Sequence, residues 1–270
     1  MKVGYVQFKP IFGKKERNLS RIMELLKEGA EKKADLLVLP ELCNTGYVFR
    51  SEEEVRSLSE KVPEGQTTSN LARFAEEENL HIVAGICEAK DDRFYNSAII
   101  VGPEGFVAVY RKTHLFDKEK LWFTRGDDPF RVCETPKARI GVMICFDWIF
   151  PEVVRVLALE GAQIVCHPSN LVLPYCQKAL LGAAIQSRVF IITANRTGTE
   201  RNVEFTGGSQ IISPHMEVLA RSRGSGEEVR VVEIDPKTAD SKRVTERNDL
   251  WADRRIDLYQ PLLQCFKQKS

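Results

Sequence analysis

Short apolar runs that stop at a polar or reactive residue constrain this chain more than any other feature. Leu36-Leu37-Val38-Leu39 ends at Pro40 and Glu41, and the run Ile140 to Ile144 ends at Cys145. Runs of four or five residues bounded in this way read as strands covered on both faces. Segments of helical period lie between them, as in 18–33, where Leu19, Ile22, Met23, Leu25 and Leu26 recur on one side. A Thr67-Thr68-Ser69 cluster offers an N-cap for a helix to about Asn79, and Pro151-Glu152 opens a helix that Gly161 can close. A further helix is predicted within 175–188. Strands are predicted over 2–8, 81–87, 163–166, 189–193, 209–212 and 229–234. Residues 97–101 and 106–110 flank Gly102-Pro103-Glu104-Gly105, which predicts a hairpin. This alternation implies an α/β protein with helices on the outer faces of mixed sheet, and it fits one sheet or two stacked sheets equally well.

At 270 residues and 43% hydrophobic content the chain can bury a substantial core. No linker-like stretch or repeat divides it, so one domain is expected over 1–255, with 256–270 as a less regular arm available for oligomer contacts. Lys and Arg total 39 against 38 Asp and Glu, leaving no global field for phosphate backbones or anionic membranes. Nucleic acid and membrane are therefore not expected partners. The first ten residues lack the apolar centre of a signal peptide, and no apolar run approaches the ~18 residues a membrane span needs. A soluble, cytoplasmic protein is the expectation.

Seven cysteines with irregular spacing and no CxxC pair argue against a disulfide framework or a zinc site. Most cysteines are simply small buried hydrophobes, so any reactive one must be identified by its surroundings. Glu41, Lys112 and Cys145 each fall at or just past the carboxyl end of a predicted strand, where α/β folds form ligand crevices. Cys145 also occupies a strand-to-helix turn. The helix from Pro151 and a carboxylate base could ionise its thiol, while the backbone N–H of Phe146 could approach an oxyanion. Glu41 follows an apolar strand and is expected in a desolvated place suited to a general base. Cys43, two residues beyond Glu41, is the internal rival, but no helix start follows it. In Cys166-His167 the two side chains should face opposite sides of a strand, a structural arrangement. The chain has no GxSxG, GxGxxG after a strand, P-loop or HExxH.

The strings LPELCNTGY (39–47), YRKTHLF (110–116) and GVMICFDWIFPE (141–152) resemble, in order and spacing, the three signature blocks of the nitrilase superfamily. The resemblance extends through HPSNLVLP (167–174), the helix containing Arg188 and GGSQIISPHMEVLA (207–220), and so covers nearly the whole chain. It implies a four-layer α-β-β-α sandwich, assembled as a homodimer or larger homo-oligomer, with no metal or organic cofactor. It also implies that Glu41 is the general base, Lys112 stabilises the tetrahedral intermediate and Cys145 forms a thioester. A second glutamate usually follows the lysine in this family. Glu119 is the nearest match, with Asp117 as the alternative if the loop register shifts.

The family pattern places Tyr47, Phe146, Trp148, Asn170 and Tyr175 around the substrate. Phe146-Asp147-Trp148 after the cysteine resembles amidases and carbamoylases more than nitrilases, which typically continue with Trp-Glu. The expected substrate is a small amide or N-carbamoyl compound, hydrolysed to an acid plus ammonia or amine. A nitrilase, an N-acyltransferase of the same superfamily and a catalytically idle oligomeric binding protein are the competing readings.

Overall fold

The computed structural model describes residues 1–264. In chain order the regular elements of the first half are β1 (Lys2–Gln7), α1 (Lys15–Glu31), β2 (Leu36–Val38), α2 (Glu52–Leu58), α3 (Gln66–Glu78), β3 (His81–Lys90), β4 (Arg93–Gly102) and β5 (Gly105–Arg111). A short helix α4 (Glu119–Trp122) leads into β6 (Val132–Glu134), β7 (Arg139–Val142), a 3-10 turn at Cys145–Ile149 and α5 (Pro151–Leu159). Then come β8 (Ile164–Ser169), α6 (Cys176–Ser187), β9 (Phe190–Asn195), β10 (Thr197–Glu200), β11 (Val203–Thr206), β12 (Gln210–Ile212), β13 (Val218–Arg221) and β14 (Glu228–Glu233).

Two six-stranded sheets result, ordered β14-β1-β2-β3-β4-β5 and β13-β12-β9-β8-β7-β6. Each has three parallel strands at its centre, β1-β2-β3 in one and β7-β8-β9 in the other, flanked by antiparallel strands. Strand alternation explains why they stack. In the first sheet Val3, Tyr5, Leu36, Val38 and Val83 join one core with Ile140, Ile164 and Ile192 of the second. The intervening residues Val6, Leu37, Ile82 and Ala84 point the other way, into a core with Ile22, Leu26, Leu71 and Phe74 of α1 and α3. Helices α5 and α6 supply Val153, Leu157, Leu180 and Ala184 to the other side of the second sheet. Four layers, α-β-β-α, follow from these apolar faces. The two-sheet arrangement that periodicity left open is thereby settled.

Most predicted elements fall within a few residues of their observed bounds. The N-cap of α3 is Gly65 and not the Thr67-Thr68-Ser69 cluster, because Thr67 is used elsewhere: its hydroxyl and backbone N–H both donate to the buried Glu60. Gly161, at φ +94°, closes α5 as expected. The β10–β11 hairpin, α2, β6 and β13 carry weak patterns and were not predicted. Beyond β14 the chain runs through 3-10 turns, and Arg155 and Lys242 hold it at Trp251, their charges 5.0 and 5.2 Å from the ring centroid. The expected arm, 256–270, is described only to residue 264. There Ile256, Leu258, Leu262 and Leu263 are exposed. Among the described residues no helix is long and apolar enough to cross a membrane.

Candidate active site

Glu41, Lys112, Glu119 and Cys145 converge between the ends of the two sheets, and all four are buried. Glu41 follows β2 in a tight turn pressed onto β3. A Cβ on Gly85 would lie 2.4 Å from the Glu41 Cα, so only glycine allows this approach. The Cys43 N–H donates to Gly85 O (2.9 Å) and the Gly85 N–H to Pro40 O (3.1 Å), which latches the turn. Lys112 leaves the end of β5. Its Nζ donates to Glu41 Oε1 (2.6 Å) and Glu119 Oε1 (2.8 Å). Glu119 is held in turn by the Phe116 N–H, which donates to Oε2 (3.0 Å).

These bonds leave a particular vacancy. Asn96 Nδ2 also donates to Glu41 Oε1 (2.7 Å), whereas Glu41 Oε2 is buried with no hydrogen-bond partner. Two carboxylates share one ammonium in a space closed to solvent. Burial and the nearby Glu41 charge push the Glu119 carboxyl up to about 7, against the downward pull of Lys112. Lys112 rises well above the ordinary lysine range, because the two carboxylates outweigh the effect of its burial.

Cys145 sits at φ +40°, a left-handed conformation that costs a non-glycine residue on the order of 1 kcal/mol and persists only where its surroundings impose it. Two side chains do so. Asp147 Oδ2 accepts from the Ile144 N–H (2.8 Å) and the Tyr110 hydroxyl (2.8 Å). Its Oδ1 accepts from the His114 N–H (3.1 Å) and pairs with His114 Nδ1 (2.8 Å). One buried carboxylate thus ties the cysteine turn to both sides of Lys112. From the other side His167 Nε2 donates to Cys145 O (2.9 Å). Burial pushes His167 down to about 4, so the ring is neutral; with Nε2 protonated, Nδ1 accepts from Thr193 Oγ1 (3.1 Å).

The surroundings of the thiol favour its neutral form. Burial and then the Glu41 charge push it well above its ordinary value, opposed by Lys112 and by the Asn170 backbone N–H. The Cys145–Ile149 3-10 turn lies between Cys145 and the helix that begins at Pro151. Phe146 lies in the first turn of that 3-10 segment, where backbone N–H groups lack intrahelical partners.

Of the other predicted residues, Asn170 bridges both halves of the site. Besides the backbone contact to Cys145, its Nδ2 donates to Glu41 O (2.9 Å). Tyr47 lies against Glu119, and burial together with that charge raises its hydroxyl far above the ordinary range. Phe146 and Trp148 line the small space at Cys145 with Asn170. Tyr175 does not join them: 61% exposed at the start of α6, it lines neither cavity beside the cysteine. Cys43 is buried in the core against α1 and α3 and pushed far up by desolvation, away from the role of rival. Cys166 and His167 do face opposite ways, but His167 supports the cysteine turn, a link that spacing could not reveal. Asn96, Asp147 and Glu200 were also unread. Glu200 Oε1 accepts from the Tyr47 and Val48 N–H groups (2.8 and 2.6 Å), with Arg196 paired to its other oxygen (2.7 Å).

A frame of four α-β-β-α layers, closing over a strained cysteine beside two carboxylates and a lysine, is that of a nitrilase-superfamily enzyme. The family described as carbon-nitrogen hydrolase matches residues 2–244, and the chain belongs to it. A protein named nitrilase from Pyrococcus abyssi is 46% identical, covering 96% of this chain and 99% of its own. An omega-amidase of Xenopus tropicalis is 32% identical over 91% of this chain and 92% of its own. Among solved structures, a carbon-nitrogen hydrolase from Helicobacter pylori G27 superposes with a TM-score of 0.90 at 27% identity, each chain covered to 99%.

Proposed function

We propose that this chain is an amidohydrolase in which Cys145 is the nucleophile, Glu41 the general base and acid, Lys112 the oxyanion donor and Glu119 the residue that holds Lys112 and substrate in place. The observation that carries this reading is the buried Glu41 Oε2, without a hydrogen-bond partner among the described residues, at the same buried site as Cys145. A buried carboxylate oxygen with no hydrogen bond to the protein can accept a proton.

The steps follow from the contacts. Glu41 takes the Cys145 proton as the sulfur attacks the carbonyl carbon of the amide. An ammonium has three donors; two of Lys112's are held by Glu41 and Glu119, and the third is free for the developing oxyanion, with the Phe146 N–H as its partner. As the intermediate collapses, the carbon-nitrogen bond breaks, Glu41 returns the proton to the leaving nitrogen and an acyl thioester remains. Water, deprotonated by Glu41, then attacks the thioester, releasing the carboxylic acid and the free thiol. N-carbamoyl compounds would follow the same path through a carbamoyl thioester.

The nitrilase name of the Pyrococcus relative favours a second reading, nitrile hydrolysis. In that case the thiol would add to the nitrile carbon. A screen for ammonia release over aliphatic amides, carbamoyl compounds and nitriles separates the two. Amide turnover that disappears in Cys145→Ala, with folding intact by circular dichroism, is the expected result. Turnover of nitriles alone, or full activity in the variant, would overturn the proposal. The same reading takes 1–255 as one catalytic domain and the arm as a homo-oligomer contact, supported by the apolar side chains exposed at Ile256, Leu258, Leu262 and Leu263.

A further inference from the structure

A cavity of about 240 Å3 opens beside Glu119, room for about eight waters at their liquid volume. Phe116 and Val172 line both it and the small space at Cys145, so the two adjoin. The remaining walls come largely from Tyr47, Phe49, Trp122, Phe123 and Val203. An acyl group attached to a carbonyl at Cys145 would extend into this space.

The buried and half-buried cations around the cavity are already committed. Lys112 is divided between Glu41 and Glu119. Arg201, which donates to Val48 O (2.9 Å) at the cavity wall, gives both its terminal nitrogens to Glu54 (2.7 Å each). Arg196 is paired to Glu200. Lys118, the one cationic residue in the lining, is exposed and adjoins the exposed Asp117. An ionised group entering here would lose hydration with only the exposed Lys118 to face it and, among the described residues, no unpaired buried cation in the lining, next to a site holding more carboxylates than cations.

Building on the hydrolase reading above, we propose that the acyl group of the substrate is uncharged and apolar, an aliphatic or aryl-aliphatic chain that fills this cavity, and that amides bearing a second, ionised carboxylate on the acyl chain are excluded. Hexanamide and glutaramate are of similar length and differ in that charge. For the wild-type protein kcat/KM for glutaramate should be lower by at least ~100-fold. Comparable or better use of glutaramate would overturn the proposal. Val203→Arg, which adds a guanidinium to the wall, should narrow the ratio at least tenfold; an unchanged ratio in a folded variant counts against the cavity as the acyl site.

Calorimetric binding to Cys145→Ala keeps the two proposals separable. If no amide or carbamoyl compound of the wider screen is turned over, the hydrolase reading fails. Binding of hexanamide in clear preference to glutaramate would still uphold the cavity assignment, and equal binding, preferential glutaramate binding or binding of neither would refute it.

Discussion

Two buried carboxylate-cation centres lie one residue apart at the end of β5, and they are built to opposite ends. Arg111 and Lys112 are consecutive, so their side chains leave the strand on opposite sides. Arg111 meets Glu88, and that centre is closed: Nε donates to Glu88 Oε2 (2.9 Å), Nη2 donates to Oε1, and the Ser97 hydroxyl donates to Oε2 (2.6 Å). Asp128 takes the third guanidinium nitrogen (3.1 Å). Lys112 meets Glu41 and Glu119, and that centre is open, with one carboxylate oxygen unpartnered and one ammonium donor unspent. The ingredients are nearly the same. What separates a structural ion pair from a reactive one is whether the hydrogen-bonding capacity is filled.

Glutamine substitutions at the two glutamates break this comparison most sharply. Glu41→Gln keeps an acceptor for Lys112 and Asn96 but cannot take a proton, so kcat should fall by at least ~10^3-fold while the denaturation midpoint barely moves. Glu88→Gln should do the reverse. It leaves a half-buried guanidinium short of its main counter-charge, at a cost of about 2 kcal/mol read from denaturant unfolding, with turnover per folded molecule within about tenfold of wild type. Equal activity losses in both would dissolve the distinction.

A smaller effect is expected at Asp147, which fastens the cysteine turn to Tyr110 and His114. Asp147→Ala leaves up to four buried or half-buried donors without their acceptor, at about 2 kcal/mol, and releases the strain at Cys145. Steady-state kinetics should show kcat reduced ~10- to 100-fold with KM changed little, because positioning rather than binding is lost. A change confined to KM would mean that the clamp does not set the nucleophile's geometry.

The mildest test concerns Glu119. Its carboxyl is raised in the folded protein, so the folded state holds the proton more tightly than the unfolded chain. The associated stability is complete below the ordinary glutamate value of 4.5 and fades as pH rises to about 7. Thermal melts of Glu119→Gln against wild type should therefore shift in favour of the variant as pH rises through that window. A constant difference across it would show that Glu119 stays ionised throughout.

How much of this site a one-dimensional reading recovers depends on where each residue's neighbours come from. Glu41, Lys112 and Cys145 stand at or just past predicted strand ends, but the resemblance of the blocks around them to the nitrilase superfamily is what singled them out. Glu119 was reached through the family pattern. Asn96 was not singled out, and the sequence did not reveal that Asp147 and His167 hold the cysteine turn, because the partners of these three lie 55, 33 to 37 and 22 residues away. Tyr175 misled for the same reason. Its position near the motif says nothing about which way the start of α6 faces, and it faces out.

The sequence by itself determined the strand and helix periods, the apolar faces and the three residues that stand at strand ends, since these depend on local pattern and on burial common to any such fold. Only the tertiary structure decided that the strands form two stacked sheets, that Glu41 Oε2 has no hydrogen-bond partner among the described residues, that Cys145 takes a strained left-handed conformation, and that Lys112 is shared between two buried carboxylates. Those properties depend on which long-range partners saturate each polar atom, and hydrogen-bond saturation is fixed by packing in three dimensions rather than by order along the chain.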